Sequence, residues 1–422
     1  MLNWRKKIFW IKDSLLGGGV KSHYLDIKKN IDLSVNTDNL DKLLTHAVHN
    51  CSFYSSIAQS RHIEDFPVVN KNIIKDNFEQ IIARGYDIKK LHAMSTSGST
   101  GTPFKSYQNK EKRNRVIAEL IFLNEKALLD LGEKFIYFRV WNENNRKTWL
   151  VRFIQNIVCV NILRLNKTVF DNTLNILKNK KVSSSLAYAS TYEHLLSYVL
   201  KNNIEVDLPK LKSVITSSEV MPISIKQALK TTFDCNVYDR YSNQENGIIA
   251  QSEDCSDVFL INHPSYLVEI LKEDSNDLAE DGEIGRIVIT DLFNYSMPFI
   301  RYDTGDLAIK IGEERFSKYV RSVQGRQVDV IYDTSGEVLT PHTLSVYMWK
   351  FNKINQYQFI QESKNEYILK VSDSGNSYSD KDFIEHLKPI FGHDANIYVE
   401  FVNSIPVLSS GKFKKTICNY TP

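Results

Sequence analysis

The chain has 422 residues, 42% of them hydrophobic and 24% charged, with a formal net charge of +3. That length accommodates two or three domains, and the composition is that of a folded globular protein rather than a disordered one. So small a net charge argues against a nucleic-acid binder. The scattered cysteines (Cys51, Cys159, Cys235, Cys255 and Cys418), with no Cys-x-x-Cys pair, argue against a disulfide framework or a zinc ribbon and for a reducing, cytoplasmic setting.

No secretory signal or bilayer-length apolar run is read from the sequence. The first segment sets Trp4, Ile8, Phe9, Trp10, Ile11 and Leu15 around Arg5, Lys6 and Lys7. This pattern suits a helix packed on the domain, and it also suits a basic amphipathic helix lying on a membrane surface. Residues 37–92 read as helices with short breaks. Thr37 or Asp38 caps a helix carrying Leu40, Leu43, Leu44 and Ala47, and Pro67–Lys71 forms a connector before helical spacing resumes at Ile73. After the end of a short strand near Met94 comes Thr96-Ser97-Gly98-Ser99-Thr100-Gly101-Thr102-Pro103. Its glycines permit close backbone approach, and its hydroxyls and N–H groups suit phosphate oxygens. The loop lacks the Gly-Lys-Ser/Thr of a Walker A motif.

A long helix is expected over 109–131, followed by strands at 135–140, 183–189, 212–216 and 235–241 that alternate with helices. From about 258 short strands separated by turns such as Glu280-Asp281-Gly282 indicate a β-rich subdomain. Beyond 330 a compact α+β unit is expected, with helices near 341–351 and 380–391 and strands around 356–371 and 396–402. The expected fold is therefore α/β. A large domain (1–328) includes the β-rich subdomain, and a small mobile α+β domain (329–422) follows.

Five further elements come after the Ser/Gly loop: Ser217-Ser218-Glu219 with Pro222, Tyr241-Ser242-Asn243-Gln244-Glu245, Arg301-Tyr302-Asp303-Thr304-Gly305-Asp306, Gly325-Arg326-Gln327-Val328-Asp329, and Ser409-Ser410-Gly411-Lys412. In order and spacing this series resembles the adenylate-forming enzymes, that is, acyl-CoA synthetases and adenylation domains. The likeness is closest to the phenylacetate–CoA ligase branch and the CapK-type capsule-biosynthesis proteins, and it spans roughly residues 90–415.

The resemblance implies ATP-dependent activation of a carboxylic acid as an acyl-adenylate, with pyrophosphate released. The acyl group then passes to CoA or to a sugar or amine acceptor, in surface-polysaccharide synthesis or in catabolism of an aryl acid. A non-catalytic nucleotide-binding scaffold of a polysaccharide assembly complex is the alternative from another class. Under the resemblance, Ser97, Gly98, Ser99, Thr100, Gly101 and Thr102 cradle phosphates. Ser218 and Glu219 line the adenine pocket, Tyr241 stacks on adenine, and Asp306 accepts the two ribose hydroxyls. Arg326 adds a ribose or phosphate contact, Glu245 helps hold Mg²⁺, and Asp329 is the hinge about which the small domain turns. Lys412 swings in to bind carboxylate and phosphate oxygens, a role suited to a point charge on a flexible stem.

The sequence departs from the family pattern where Ser242 replaces a glycine, Gln244 a threonine and Val328 an acid, and where Tyr332 stands at a frequent lysine position. Some relatives hold zinc. Here Cys255 and His263 lack the further cysteines such a site needs and read as packing or surface residues. The acid's pocket is expected around Tyr137–Trp141, Tyr188–Tyr192 and Ser217–Tyr241, with Arg139 available to a charged substrate or to a neighbouring Asp.

Overall fold

The computed structural model describes residues 3–420 apart from 36, 58–61, 97–103, 142–144, 180, 209, 220, 325–330, 340, 349, 352, 355, 374–376, 404 and 406–415. The helices are α1 (Trp4–Leu15), α2 (Gly19–Asn30), α3 (Asp38–Asn50), α4 (Lys71–Asp76), α5 (Phe78–Ile81), α6 (Lys110–Lys126), α7 (Trp149–Gln155), α8 (Lys167–Asn179), α9 (Ala189–Lys201), α10 (Ile223–Phe233), α11 (Pro341–Met348) and α12 (Asp380–Phe391). The first strands are β1 (His92–Thr96), β2 (Phe104–Gln108), β3 (Phe135–Arg139), β4 (Ile157–Asn161), β5 (Ser184–Tyr188), β6 (Ser213–Ser217), β7 (Asn236–Asn243), β8 (Gly247–Ser252), β9 (Val258–Ile261) and β10 (Tyr266–Leu271). The remainder are β11 (Ile284–Asp291), β12 (Tyr302–Lys310), β13 (Tyr319–Gln324), β14 (Ile331–Tyr332), β15 (Val338–Leu339), β16 (Gln356–Gln361), β17 (Glu366–Ser372), β18 (Asn396–Phe401) and β19 (Thr416–Cys418).

Eleven strands form one sheet in the order β10-β11-β12-β13-β9-β8-β7-β6-β5-β3-β4. From β4 to β7 the neighbours are parallel, because each is reached through a helical crossover. From β7 onward they are antiparallel, joined through tight turns such as Glu280–Gly282. The β-rich segment is thus the antiparallel half of the same sheet. The joining strand β8 goes unseen in the sequence because its apolar run lacks alternation.

Residues of α8, α9 and α10 pack on one face of the parallel half in a continuous core that includes Phe170, Tyr192, Leu195 and Leu229. The opposite face is covered around Ala127 and Leu129 at the end of α6, with α2 packed outside it. Covered on both faces, β6 (Ser-Val-Ile-Thr-Ser) has no exposed side.

A second, four-stranded sheet, β18-β17-β16-β19, carries α11 and α12 over its own core of Phe359, Tyr367, Phe383, Leu387 and Phe391. Helix α12 begins in a capping box of Ser379 and Asp382. This unit rests on the segment between β4 and α8. Leu163 packs on its core, Asn166 Nδ2 donates to Glu337 Oε1 at 2.9 Å, and Arg164 Nε lies 3.7 Å from Asp333 Oδ2. The division expected at 328/329, with Val328 and Asp329, lies outside the described residues.

Candidate functional site

Three strand ends and one connector build the site. Val69 bridges to Tyr302: its N–H donates to the Arg301 carbonyl at 3.0 Å, and its own carbonyl accepts from Asp303 N–H at 2.8 Å. Pro67–Asn70 is thereby fixed along the start of β12. Asn70 then caps α4, its Oδ1 accepting from the N–H groups of Asn72 and Ile73, each at 3.0 Å. The cap sets Lys71 at the first helical position, where its Nζ lies 2.6 Å from Glu245 Oε1. Tyr302 donates to the same oxygen at 3.1 Å, and Gln108 Nε2 donates to the Glu245 carbonyl at 2.9 Å.

Glu245 is 1% exposed, and its second oxygen, Oε2, has no hydrogen-bond partner among the described residues. The turn that carries it is held from beneath. Asn246 N–H donates to Asn243 Oδ1 at 2.7 Å. The Asn246 carbonyl and Glu119 Oε2 each lie 2.8 Å from the Tyr266 hydroxyl. Lys112 Nζ lies 2.7 Å from Asp291 Oδ2 and donates to that hydroxyl at 3.0 Å; Lys112 and Asp291 are both fully buried. Burial raises the Glu119 carboxyl above its usual range, although Lys112 and Arg115 oppose the shift.

On β12, Thr304, Gly305 and Asp306 bulge against Ile287 of β11, since Val288 pairs with Asp303 and Arg286 with Leu307. Gly305 takes φ +77°, a conformation that favours glycine. The bulge presents Asp306 to Tyr241, whose hydroxyl lies 2.9 Å from Asp306 Oδ2 and 3.1 Å from Thr304 Oγ1. Burial, followed by the Asp306 charge, pushes the Tyr241 phenol well above its usual range, so it remains a donor. The Tyr302 phenol is raised in the same way, by burial and then by Glu245.

Strand β6 pairs with β7 through Ser217 and Arg240, so the turn at Ser218–Glu219 leaves β6 beside Tyr241. Ser218 is exposed and takes φ +69°, uncommon for a residue with a side chain. Glu219 Oε2 accepts from Ser190 N–H at 2.8 Å, at the positive amino end of α9. Burial nonetheless raises its carboxyl above the usual range. Burial also raises the nearby Tyr188 phenol, with Tyr137 and Glu219 reinforcing the shift and Arg139 opposing it. Tyr137, Arg139, Tyr188 and Glu219 thus converge at the carboxyl edge of the parallel strands, the edge where open α/β sheets bind ligands.

Of the site residues read from sequence, the structure brings Tyr241, Glu245 and Asp306 into one cluster, with Ser218 and Glu219 on the adjoining strand end. Ser97, Gly98, Ser99, Thr100, Gly101, Thr102, Arg326 and Lys412 lie outside the described residues. The strands that flank the Ser/Gly loop in sequence, β1 and β2, pair antiparallel with Thr96 opposite Phe104. Lys71 was not legible as a site residue; its only local signal is the Asn cap before it. Tyr302 lay inside a recognised motif without a role. His263 is buried with Nε2 2.9 Å from the Ile31 carbonyl, and Cys255 is half-buried.

Known proteins resemble this chain in two ways. Residues 331–419 match the family model of the CapK C-terminal domain. Protein CapK of Staphylococcus aureus is 22% identical, over 94% of this chain and 93% of its own length. Among solved structures, 2-hydroxyisobutyryl-CoA ligase in complex with 2-HIB-AMP and CoA superposes with a TM-score of 0.59 at 16% identity, covering 90% of this chain and 88% of the ligase. An open conformation of the same ligase gives a TM-score of 0.54 at 16% identity, with 90% of each chain covered. The fold is that of adenylate-forming ligases. The resemblance drawn from the motifs is borne out for the fold and for the C-terminal segment.

Proposed function

We propose that this protein is an ATP-dependent ligase that activates a carboxylic acid as its acyl-adenylate and hands the acyl group to a nucleophile, in the making of a surface polysaccharide. The observation that carries the reading is the gathering of Tyr241, Glu245 and Asp306 at one strand edge of this fold: Tyr241 hydrogen-bonds to Asp306 and Thr304, and Tyr302, on the same strand as Asp306, hydrogen-bonds to Glu245. The CapK likeness supports the polysaccharide setting, and the ligase solved with an acyl-AMP and CoA supports the chemistry.

In the first half-reaction a carboxylate oxygen attacks the α-phosphorus of ATP, and the bond to the bridging oxygen breaks to release pyrophosphate. Like-charged reactants must be held in line, which is a task of positioning and charge neutralisation. Asp306, oriented through its Tyr241 hydrogen bond, takes the ribose hydroxyls. Ser97, Ser99, Thr100 and Thr102 hold the terminal phosphates, with Arg326 assisting. Lys412 neutralises the carboxylate and α-phosphate oxygens as the new bond forms. In the second half-reaction a thiol, amine or hydroxyl attacks the acyl carbon and AMP leaves.

Glu245 fits a Mg²⁺ ligand, because its Oε2 is buried without a hydrogen-bond partner among the described residues. When bound, the ion neutralises phosphate charge. Lys71 supplies a fixed positive charge on the other oxygen of Glu245.

The test is acid-dependent formation of AMP from ATP, with hydroxylamine as the trapping nucleophile and a panel of aryl, aliphatic, hydroxy and amino acids. The reading predicts AMP and an acyl hydroxamate with one acid class. ATP bound but never cleaved, with any acid, contradicts it.

A further inference from the structure

Helix α1 is apolar on two opposite sides, and the protein covers only one of them. Its inner side packs Phe9 and Trp10 against the core of α2 and α6. The outer side carries Trp4, Ile8, Ile11 and Leu15 at helical spacing, all exposed, with Ile11 at 61% and Leu15 at 83%. An apolar stripe on a helix normally faces a core, so this exposed outer stripe lacks a partner among the described residues.

The stripe is not exposed through loose packing. Asn3 Nδ2 donates to the Leu131 carbonyl at 2.7 Å, Lys6 Nζ lies 2.9 Å from Glu125 Oε1, and Asp13 accepts from the N–H groups of Val20 and Lys21 at the start of α2.

A second element extends the face. Helix α7, beside the edge strand β4, has no buried residue, yet it carries Trp149, Leu150, Phe153 and Ile154, with Trp149 77% exposed. The two helices meet where Arg5 lies over both Trp4 and Phe153, 4.4 and 5.2 Å from the ring centroids, and donates to the Phe153 carbonyl at 3.2 Å. The result is one continuous apolar surface built on two anchored helices, which is uncommon on a protein without a partner there.

The charge around this surface identifies the partner. Residues 1–16 and 145–156 contain seven lysines and arginines against a single acid, Asp13, which is buried; of the seven, Lys6 is paired with Glu125 and Asp130 on the inner side of α1. Lys7 and Lys12 flank the stripe, and Arg146, Lys147 and Arg152 lie in or before α7. The whole chain is nearly balanced at +3, so the basic character is local. Apolar side chains with exposed tryptophans, rimmed by basic residues, match the boundary of an anionic bilayer, where tryptophan sits at headgroup level and each lysine or arginine adds attraction. Helix α1 has 12 residues, about 18 Å, which is too short to span a bilayer. Among the described residues no helix is long and apolar enough to cross a membrane.

We propose that α1 and α7 together form a docking face for an anionic phospholipid membrane surface. The carboxyl end of α7 meets the amino-terminal ends of β3 and β4, with Phe135 N–H donating to the Asn156 carbonyl at 3.2 Å. The candidate site lies at the opposite, carboxyl ends of the parallel strands, so docking leaves it open to solvent-borne substrates. The proposal stands independently of the ligase reading.

The test is co-sedimentation of the full chain with phosphatidylcholine vesicles, with and without phosphatidylglycerol, across a salt series. Three proteins are compared: the parent, Ile11→Ser/Trp149→Ser, and Lys7→Glu/Lys12→Glu. All four positions are exposed, and unchanged far-UV circular dichroism and thermal midpoint confirm folding. The parent is expected to bind phosphatidylglycerol vesicles, less as salt rises, with a blue shift of tryptophan emission. Either double variant is expected to bind at least about tenfold more weakly at low salt. No binding to anionic vesicles, equal binding to pure phosphatidylcholine, or binding unaffected by both variants overturns the proposal. Sedimentation equilibrium covers the remaining outcome: a dimer that Ile11→Ser/Trp149→Ser dissociates, with no vesicle binding, assigns the face to a second copy and also overturns it.

Discussion

Lys71 is the residue through which the account of the site can be probed most sharply without knowledge of the substrate. Its Nζ lies 2.6 Å from Glu245 Oε1; the Lys71 side chain is 23% exposed and that of Glu245 1%. Removing one partner of a fully buried pair costs about 3–5 kcal/mol, because the other charge is left uncompensated. Water reaches part of Lys71, and Tyr302 still donates to Oε1 in its absence, so Lys71→Met is expected to cost about 2–3 kcal/mol. Glu245→Gln removes the charge and leaves an amide able to accept the same hydrogen bonds. In the double variant much of the Lys71→Met penalty should therefore disappear. The assay is a double-mutant cycle by urea unfolding, with a coupling of about 1.5–2.5 kcal/mol expected. A coupling below about 0.5 kcal/mol, the range of independent sites, refutes the reasoning.

Three more outcomes follow from other parts of the molecule. The His23 imidazole is pushed down to about 4, first by burial and then by Arg115, with Lys112 also lowering it and Asp26 opposing. The unfolded chain then binds a proton that the folded chain refuses between about pH 6.5 and 4, so stability falls as pH falls through that window. After allowance for partial exposure this component is about 1–2 kcal/mol, and His23→Gln should flatten the pH dependence of the urea midpoint by that amount; an unchanged slope contradicts the assignment. Gly247 takes φ +134°, and a Cβ there would lie 2.7 Å from both Glu119 Oε2 and the Tyr266 hydroxyl. Gly247→Ala should cost about 2–3 kcal/mol, read as a lower thermal midpoint, and a neutral effect contradicts the packing described. Tyr241→Phe removes the hydroxyl that meets Asp306 and Thr304 and should weaken ATP binding about five- to tenfold by calorimetry, while an unchanged Kd excludes Tyr241 from the nucleotide site.

Much of the fold was legible because its elements carry strong local signals. Helix α12 starts at a Ser-x-x-Asp capping box and keeps Phe383, Leu387 and Ile390 on one side, and its bounds follow from those residues. Strand β9 is bounded by polar turns and reads directly from Val258 to Ile261. Strand β8 and the short helix α7 were not legible. The first offers only the short apolar run Ile248–Ala250, with no alternation to mark a strand, and the second has no buried side at all.

The site was legible in part for the same reason. Asp306 and Glu245 stand in local motifs, whereas the Lys71–Glu245 pair joins residues 174 positions apart, brought together by tertiary contacts such as the bridge between Val69 and Tyr302. Lys112 and Asp291, which hold the Glu245 turn from below through Tyr266 and Asn246, are invisible to periodicity because charged residues on a helix and a strand read as solvent-facing.

The central claim is that this strand edge activates a carboxylate with ATP. ATP–pyrophosphate exchange across an acid panel, with the parent chain beside Lys412→Ala and Asp306→Ala, measures it most directly. The account predicts exchange that requires one class of acid and collapses in both variants. Exchange absent with every acid, or undiminished when Lys412 and Asp306 are replaced, would contradict it.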